Sequence, residues 1–264
     1  SLSNLISQSS IDCNSNLSIF AEYYKVKNYE AAYEPWMAVR KECPKINPAI
    51  YFQGSRMLDE FIKKTEGETK NAYQKDLLKL YDEWLINFPA YNGRSIVGQI
   101  MSNKAQKMID YNLASKSEIF TLFEDAYQTD PLSFDDPKPL YSYFKTYFEL
   151  YKDGENDITL NQIFNKYEEL SERYNSIIDD YSKQIDIIIN KENSGIALTS
   201  REKRNKRAYE INSNASNIYL RNLNAIIAKE STCENLIPLY RKNLEENKTN
   251  PCLLYTSPSP RDFE

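Results

Sequence analysis

The chain has 264 residues, 41% hydrophobic and 13% aromatic with 21 tyrosines, so it can bury a sizeable core in one large or two ordinary domains and is not disordered. A formal charge of −5 and an isoelectric point near 5.2 argue against nucleic-acid or anionic-membrane binding, because either needs a net basic surface. Histidine is absent, which removes most Ser and Cys nucleophile arrangements, many general acid–base sites and most zinc sites. An enzyme here would have to work with carboxylates, lysines or tyrosines, and the sequence points to no cofactor, no metal and no catalysis.

Only six glycines occur, which suits a mostly helical chain, and no run of about 18 apolar residues exists to span a bilayer. The first residues, Ser1 to Ser9, read like the end of an apolar leader core followed by a small-residue cleavage zone, so 1–12 is expected to be a signal-peptide remnant or a polar arm. Leu17 to Lys25 and Tyr29 to Glu42 carry helical periodicity, with Lys27-Asn28 as the turn and Pro44 as the stop, which predicts a helical hairpin. Pro48 to Lys64 places Ile50, Tyr51, Met57, Leu58, Phe61 and Ile62 on one helical face, and Gly67 interrupts it. The Tyr51-Phe52-Gln53-Gly54 string echoes the end of an engineered protease tag but sits inside this pattern, so it is read as native. A helix from Asn71 to Phe88 ends at Pro89. Gly93 is expected to open the next one through Ile96, Ile100, Met108 and Ile109, and Ser117 to cap a helix from Glu118 to Gln128 that Asp130-Pro131 ends.

Residues 132–139 hold two further prolines and are expected to separate a hairpin array at 13–131 from a second helical region at 140–250. Leu140 to Lys152 is rich in aromatic residues and closes at Asp153-Gly154. Thr159-Leu-Asn-Gln162 is a capping box for a helix to about Asn190, with Leu160, Ile163, Tyr167, Leu170, Tyr174, Ile177, Tyr181 and Ile188 near a heptad seam. Asn193-Ser-Gly195 turns the chain, and Ser200 starts a second long helix through Ala208, Ile211, Ala215, Ile218, Leu223 and Ile227. Together they form an antiparallel hairpin over 160–229, a candidate surface for self-association. A last helix is expected over Glu234 to Glu246. Residues 251–264, with the run from Cys252 to Asp262, resemble translated adapter read-through and are expected to be non-native.

Within the first hairpin, Tyr23, Tyr29, Ala32, Trp36, Val39 and Pro44 fall at the spacing of a tetratricopeptide (TPR) unit. Tyr81, Trp84 and Pro89 repeat part of that pattern with Leu77 in the small-residue slot, and Phe123, Ala126 and Pro131 repeat it with Ile119 there. The region to about Asn250 is similar to secreted TPR proteins of the Bacteroidota. The resemblance implies an all-α solenoid of hairpins, exported to the periplasm or cell envelope, that binds a protein or peptide without catalysing a reaction. Helices from Leu160 onward are too long for the 34-residue period. By the same resemblance the first helix of each unit lines the concave surface, which puts Tyr24 and Lys25 of the first unit, and Lys104, Tyr111 and Asn112 of the third, against a partner.

Cys13 precedes the first helix and Cys43 ends the second. An antiparallel hairpin brings those ends together, so a disulfide is reachable, with two buried free thiols as the alternative. Cys233 is left single, and no CxxC spacing supports a redox motif or a zinc ribbon.

Other motifs have plainer explanations. Asp153-Gly-Glu-Asn-Asp157 lacks the ligand spacing of a calcium loop and is read as a helix stop followed by a cap. The pairs Asp135-Asp136, Glu168-Glu169 and Asp179-Asp180 would suit an envelope carbohydrate-active enzyme only if they converged; neighbours on a helix diverge by about 100°, so they are read as solvated surface. The basic run Arg201 to Arg207 is read as a solvated helix face, and the aromatics of Tyr141 to Tyr151 as core rather than a carbohydrate-binding platform.

Overall fold

The computed structural model describes residues 12–237. The expected leader at residues 1–11 and the read-through tail at 251–264 lie outside the described residues, and the expected helix from Glu234 is described only within residues 233–237. The chain is all-α, apart from one two-stranded sheet among the described residues. It divides into two compact units, residues 1–139 and 140–264.

The first unit is an array of hairpins. Helices α1 (Cys13–Lys25) and α2 (Tyr29–Glu42) pack together, then α3 (Ala49–Lys64) with α4 (Gly67–Asn87), then α5 (Val97–Tyr111) with α6 (Lys116–Thr129). Asp12 caps α1 by accepting from the amides of Asn14 and Ser15, so this helix begins about a turn before the apolar spacing does. Lys27 takes a left-handed φ of 58°, and Asn28 then caps α2 by accepting from the Ala31 amide.

One buried cluster joins Phe20 of α1, Ala32, Trp36 and Val39 of α2, six residues of α3 from Ile50 to Ile62, Leu77, Leu80 and Tyr81 of α4, and Ile100 of α5. Each large side chain in it contributes roughly 1.5–3 kcal/mol of transfer free energy. The second helix of every hairpin buries the same i, i+4, i+7 trio: Ala32, Trp36 and Val39; Leu77 and Tyr81 with the partly buried Trp84; Ile119, Phe123 and Ala126. These trios stand roughly 45 and 42 residues apart, longer than the 34 of the regular TPR period. The extra length lies in α4, which has 21 residues, and in a detour before α5. Tyr23, the first residue of the repeat spacing, is 40% exposed and lies outside this core.

That detour is a hairpin of β1 (Ala90–Tyr91) and β2 (Arg94–Ser95), closed by Asn92 and Gly93 with φ of 50° and 75°. Two successive positive φ values suit Asn-Gly, the strongest short hairpin signal. Gly93 therefore makes a turn and does not open a helix, and α5 starts only at Val97. The cap of α6 also sits earlier than expected: Ser115, not Ser117, forms a capping box with Glu118.

Helix α7 (Pro137–Asp153) takes up the end of the proline-rich stretch. Pro137 and Pro139 occupy its first turn, where amides have no intrahelical acceptor and a fixed φ is already helical. In the second unit, α8 (Leu160–Asn193) and α9 (Ser200–Ala228) form a long antiparallel hairpin with capping boxes at Thr159/Gln162 and Thr199/Glu202. From α8, Ile163, Leu170, Tyr174, Ile177 and Ile188 are buried. From α9, Ser216, Leu223 and Ile227 are. Polar contacts complete the pairing: Tyr167 donates to Asn224 Oδ1 at 3.1 Å, Asn212 donates to the Tyr181 hydroxyl at 3.3 Å, and the Tyr181 and Tyr209 rings lie 5.9 Å apart. Ile211 and Ile218, grouped in the sequence with Leu223 and Ile227, are instead 57% and 46% exposed.

Candidate partner-binding surface

The residues expected to meet a partner lie on α1 and on or just past α5. Tyr24, near the end of α1, is half-buried, its ring 5.9 Å from Phe20 and 5.5 Å from Tyr29. Lys25, the last residue of α1, is exposed. Its charge suits the negative end of the helix dipole.

On α5 the expected residues are engaged inside the protein. The Lys104 ammonium lies 2.5 Å from Asp82 Oδ1 on α4. The Tyr111 hydroxyl donates to Asp59 Oδ1 on α3 at 2.8 Å, and Lys107 reaches the other oxygen of the same carboxylate at 2.5 Å. Burial, with the neighbouring Asp59 carboxylate, holds the Tyr111 hydroxyl well above the usual phenol range. Asn112 takes the left-handed conformation, φ 53°, that ends α5; its amide donates to the Ile109 carbonyl, and its side chain faces solvent. The structure thus brings Tyr111 and Asn112 together at one end of α5 and sets Tyr24 and Lys25 at the corresponding end of α1. Asp59, Lys107 and Asp82 were missed from the sequence, since nothing local links Asp59 to a lysine 48 residues away.

A second clamp joins α2 to α4. Arg40 of α2 is buried, its guanidinium 5.0 Å from the Trp36 ring centroid, with Nε 2.6 Å from Glu83 Oε2 and Nη1 2.9 Å from Asp76 Oδ2, both on α4. Burial alone would push the guanidinium pKa down. The hydrogen bonds to the two carboxylates outweigh it, so the pKa is raised and the charge is secure. Lys138 reaches Asp110 of α5 at 2.8 Å.

Cys13 and Cys43 are joined by a disulfide, with 6.3 Å between their Cα atoms. Cys233 is a free, exposed thiol.

The remaining motifs fall into place locally. Gly154, Asn156 and Asp157 all have positive φ and make the turn between α7 and α8. Tyr143, Phe144 and Tyr147 are buried, and Tyr141 lies against Tyr219 with centroids 5.5 Å apart. Asp179 pairs with Lys183 on an exposed face, and burial raises the Asp136 carboxyl above its usual range. In the basic run, Lys206 pairs with Glu192, while Arg201, Lys203, Arg204 and Arg207 are exposed. Among the described residues no group of three or more Cys, Asp or Glu side chains could hold a metal ion, and no helix is long and apolar enough to cross a membrane.

These features define an all-α protein with a helical-repeat-like fold. No protein-family model, curated protein or solved structure matches the chain.

Proposed function

We propose that the protein is a non-catalytic protein–protein interaction scaffold of the TPR type, related to the secreted repeat proteins of the Bacteroidota and working in the periplasm or cell envelope. It binds a protein or peptide partner along the surface formed by α1, α3 and α5. The observation that carries this reading is the Asp59–Lys107–Tyr111 clamp, which fixes α3 against α5. A surface locked in advance spares the partner the cost of ordering it. Tyr24, Lys25 and Asn112 offer ring, cation and amide contacts beside it, while Lys104 and Tyr111 hold the frame. The Cys13–Cys43 bridge supports an oxidising compartment.

The test is a pulldown from envelope extracts with the wild type, Lys25→Glu and Tyr24→Ala. Loss of the same partner in both variants, with the helical circular-dichroism signal intact, is the expected result. Retention of every partner by both variants would refute the assignment.

A second reading, self-association through the 160–229 hairpin, is favoured by the exposure of Ile187, Ile211 and Ile218 at 63%, 57% and 46%.

A further inference from the structure

Helix α1 is held to the first unit differently from its neighbours. It buries one side chain, Phe20, whereas each of α2 to α6 buries at least four residues. Its polar side chains turn back on their own helix: Ser15 donates to Asp12 Oδ2, Asn16 to the Asp12 carbonyl and Ser18 to the Asn14 carbonyl. Among the described residues, no side chain from Asn14 to Lys25 makes a hydrogen bond or ion pair to another helix. A helix of 13 residues is marginal in water by itself, and Asn, Ser and Tyr are weak helix formers. The attachment of α1 therefore rests on Phe20, on the ring contact of Tyr24 with Tyr29, and on the Cys13–Cys43 bond.

That bond grips α1 at the end away from the Lys27-Asn28 turn. Cys13 is the first residue of α1, Cys43 follows the last residue of α2, and neither is fully buried. Beyond α2 the clamps involve no cysteine. The Trp36 indole donates to the Ile50 carbonyl of α3, Arg40 holds Asp76 and Glu83 of α4, and Asp59 of α3 takes Lys107 and Tyr111 of α5. Breaking the bridge thus weakens the one helix with the least burial and leaves the links from α2 to α5 untouched. Local opening follows such differences in buried contact.

We propose that the Cys13–Cys43 bond is a redox latch on α1. A thiolate of a dithiol reductant attacks one sulfur and forms a mixed disulfide, which its second thiol resolves. Two electrons and two protons pass to Cys13 and Cys43, which become thiols, and the reductant leaves as its own disulfide. Helix α1 then lifts from α2 and vacates the place of Phe20 in the cluster of Ala32, Trp36 and Val39, while α2 to α6 stay packed. The latch stands apart from the partner reading. Its consequence for binding rests on that reading: Tyr24 and Lys25 ride on α1, so the reduced form loses the partner.

The test is amide hydrogen exchange on the full chain in a Cys233→Ser, Cys252→Ser background, with dithiothreitol as the reductant and no partner present. Reduction should lower protection over residues 17–25 by about tenfold or more, leave residues 33–64 within about twofold, and reverse on reoxidation. Cys13→Ser with Cys43→Ser should show the reduced pattern and no response to dithiothreitol. Unchanged protection in α1 after reduction would overturn the latch, as would a bond that dithiothreitol leaves intact in the folded protein. Protection lost through α2 to α4 as well would make the bond a staple of the whole unit and overturn the latch too. A partner still pulled down after α1 has opened would overturn only the consequence for binding.

Discussion

Trp36 and Gly54 are fitted to each other: a Cβ at Gly54 would lie 2.6 Å from indole Cζ2, and the indole nitrogen donates to the Ile50 carbonyl one turn earlier in α3 at 2.7 Å. The ring thus fills the space that a side chain at Gly54 would take, and it pins α2 to α3. Gly54→Ala should destabilise the protein by about 1–3 kcal/mol through overpacking. Trp36→Ala should cost about 3–5 kcal/mol through the cavity and the lost hydrogen bond. Urea denaturation of both variants checks this, and a Gly54→Ala midpoint equal to wild type would show that the fit is loose.

The disulfide closes a loop of 30 residues. Its removal by Cys13→Ser with Cys43→Ser should cost about 3–4 kcal/mol in the chain-entropy account. The native protein should show a thiol count that excludes Cys13 and Cys43. Free thiols at both positions in material purified from cells would remove the main support for export.

Arg40 is wedged between Asp76 and Glu83, so removing it strands two partly buried carboxylates. Arg40→Ala should lower stability by about 3 kcal/mol, because one side of a buried pair is lost. Adding Asp76→Asn and Glu83→Gln should recover part of the loss, and a double-mutant cycle measures it.

Alkaline pH should weaken the first unit. Burial, with the charge of Glu83, pushes the Tyr51 hydroxyl up to about 12, and Tyr81 and Tyr111 shift the same way. The unfolded chain gives up these protons near pH 10 and the folded one keeps them, so their contribution is full below pH 10 and is lost as pH rises towards 12. Urea midpoints at pH 9, 10 and 11 should fall progressively, and Tyr51→Phe should shallow the slope. An unchanged midpoint over that range would contradict the burial of these hydroxyls.

Acid should loosen the tip of the α8–α9 hairpin. The Lys191 ammonium, then the Thr199 cap, hold the Glu202 carboxylate down at about 2, below its ordinary value near 4.5. Its contribution is present above that ordinary value and disappears as pH falls through about 2. Amide exchange at 199–206, corrected for its intrinsic pH dependence, should lose protection between pH 5 and pH 2 in the wild type. Glu202→Gln should show the reduced protection already at pH 5.

Much of the local structure was legible in the sequence. The two helices of the first hairpin, the stops at Pro44 and Pro89 and the box at Thr159/Gln162 all rest on interactions within a few residues. Two local signals were present and passed over: Asn92-Gly93 as a hairpin turn, and Ser115 three residues before Glu118 as a cap. The exposure of Ile211 and Ile218 was not legible, because an apolar residue at helical spacing fits an inward and an outward stripe equally well.

By itself, the sequence determined which segments are helical, most of their stops, and which apolar trios recur, since capping hydrogen bonds, proline sterics and 3.6-residue periodicity act between near neighbours. Only the tertiary structure decided that Trp36 closes over Gly54, that Arg40 finds Asp76 and Glu83, and that Lys107 and Tyr111 share Asp59. Those contacts join residues 18 to 52 positions apart. Shape fit and the pairing of desolvated charge choose them among many alternatives, and both exist only once the helices have packed.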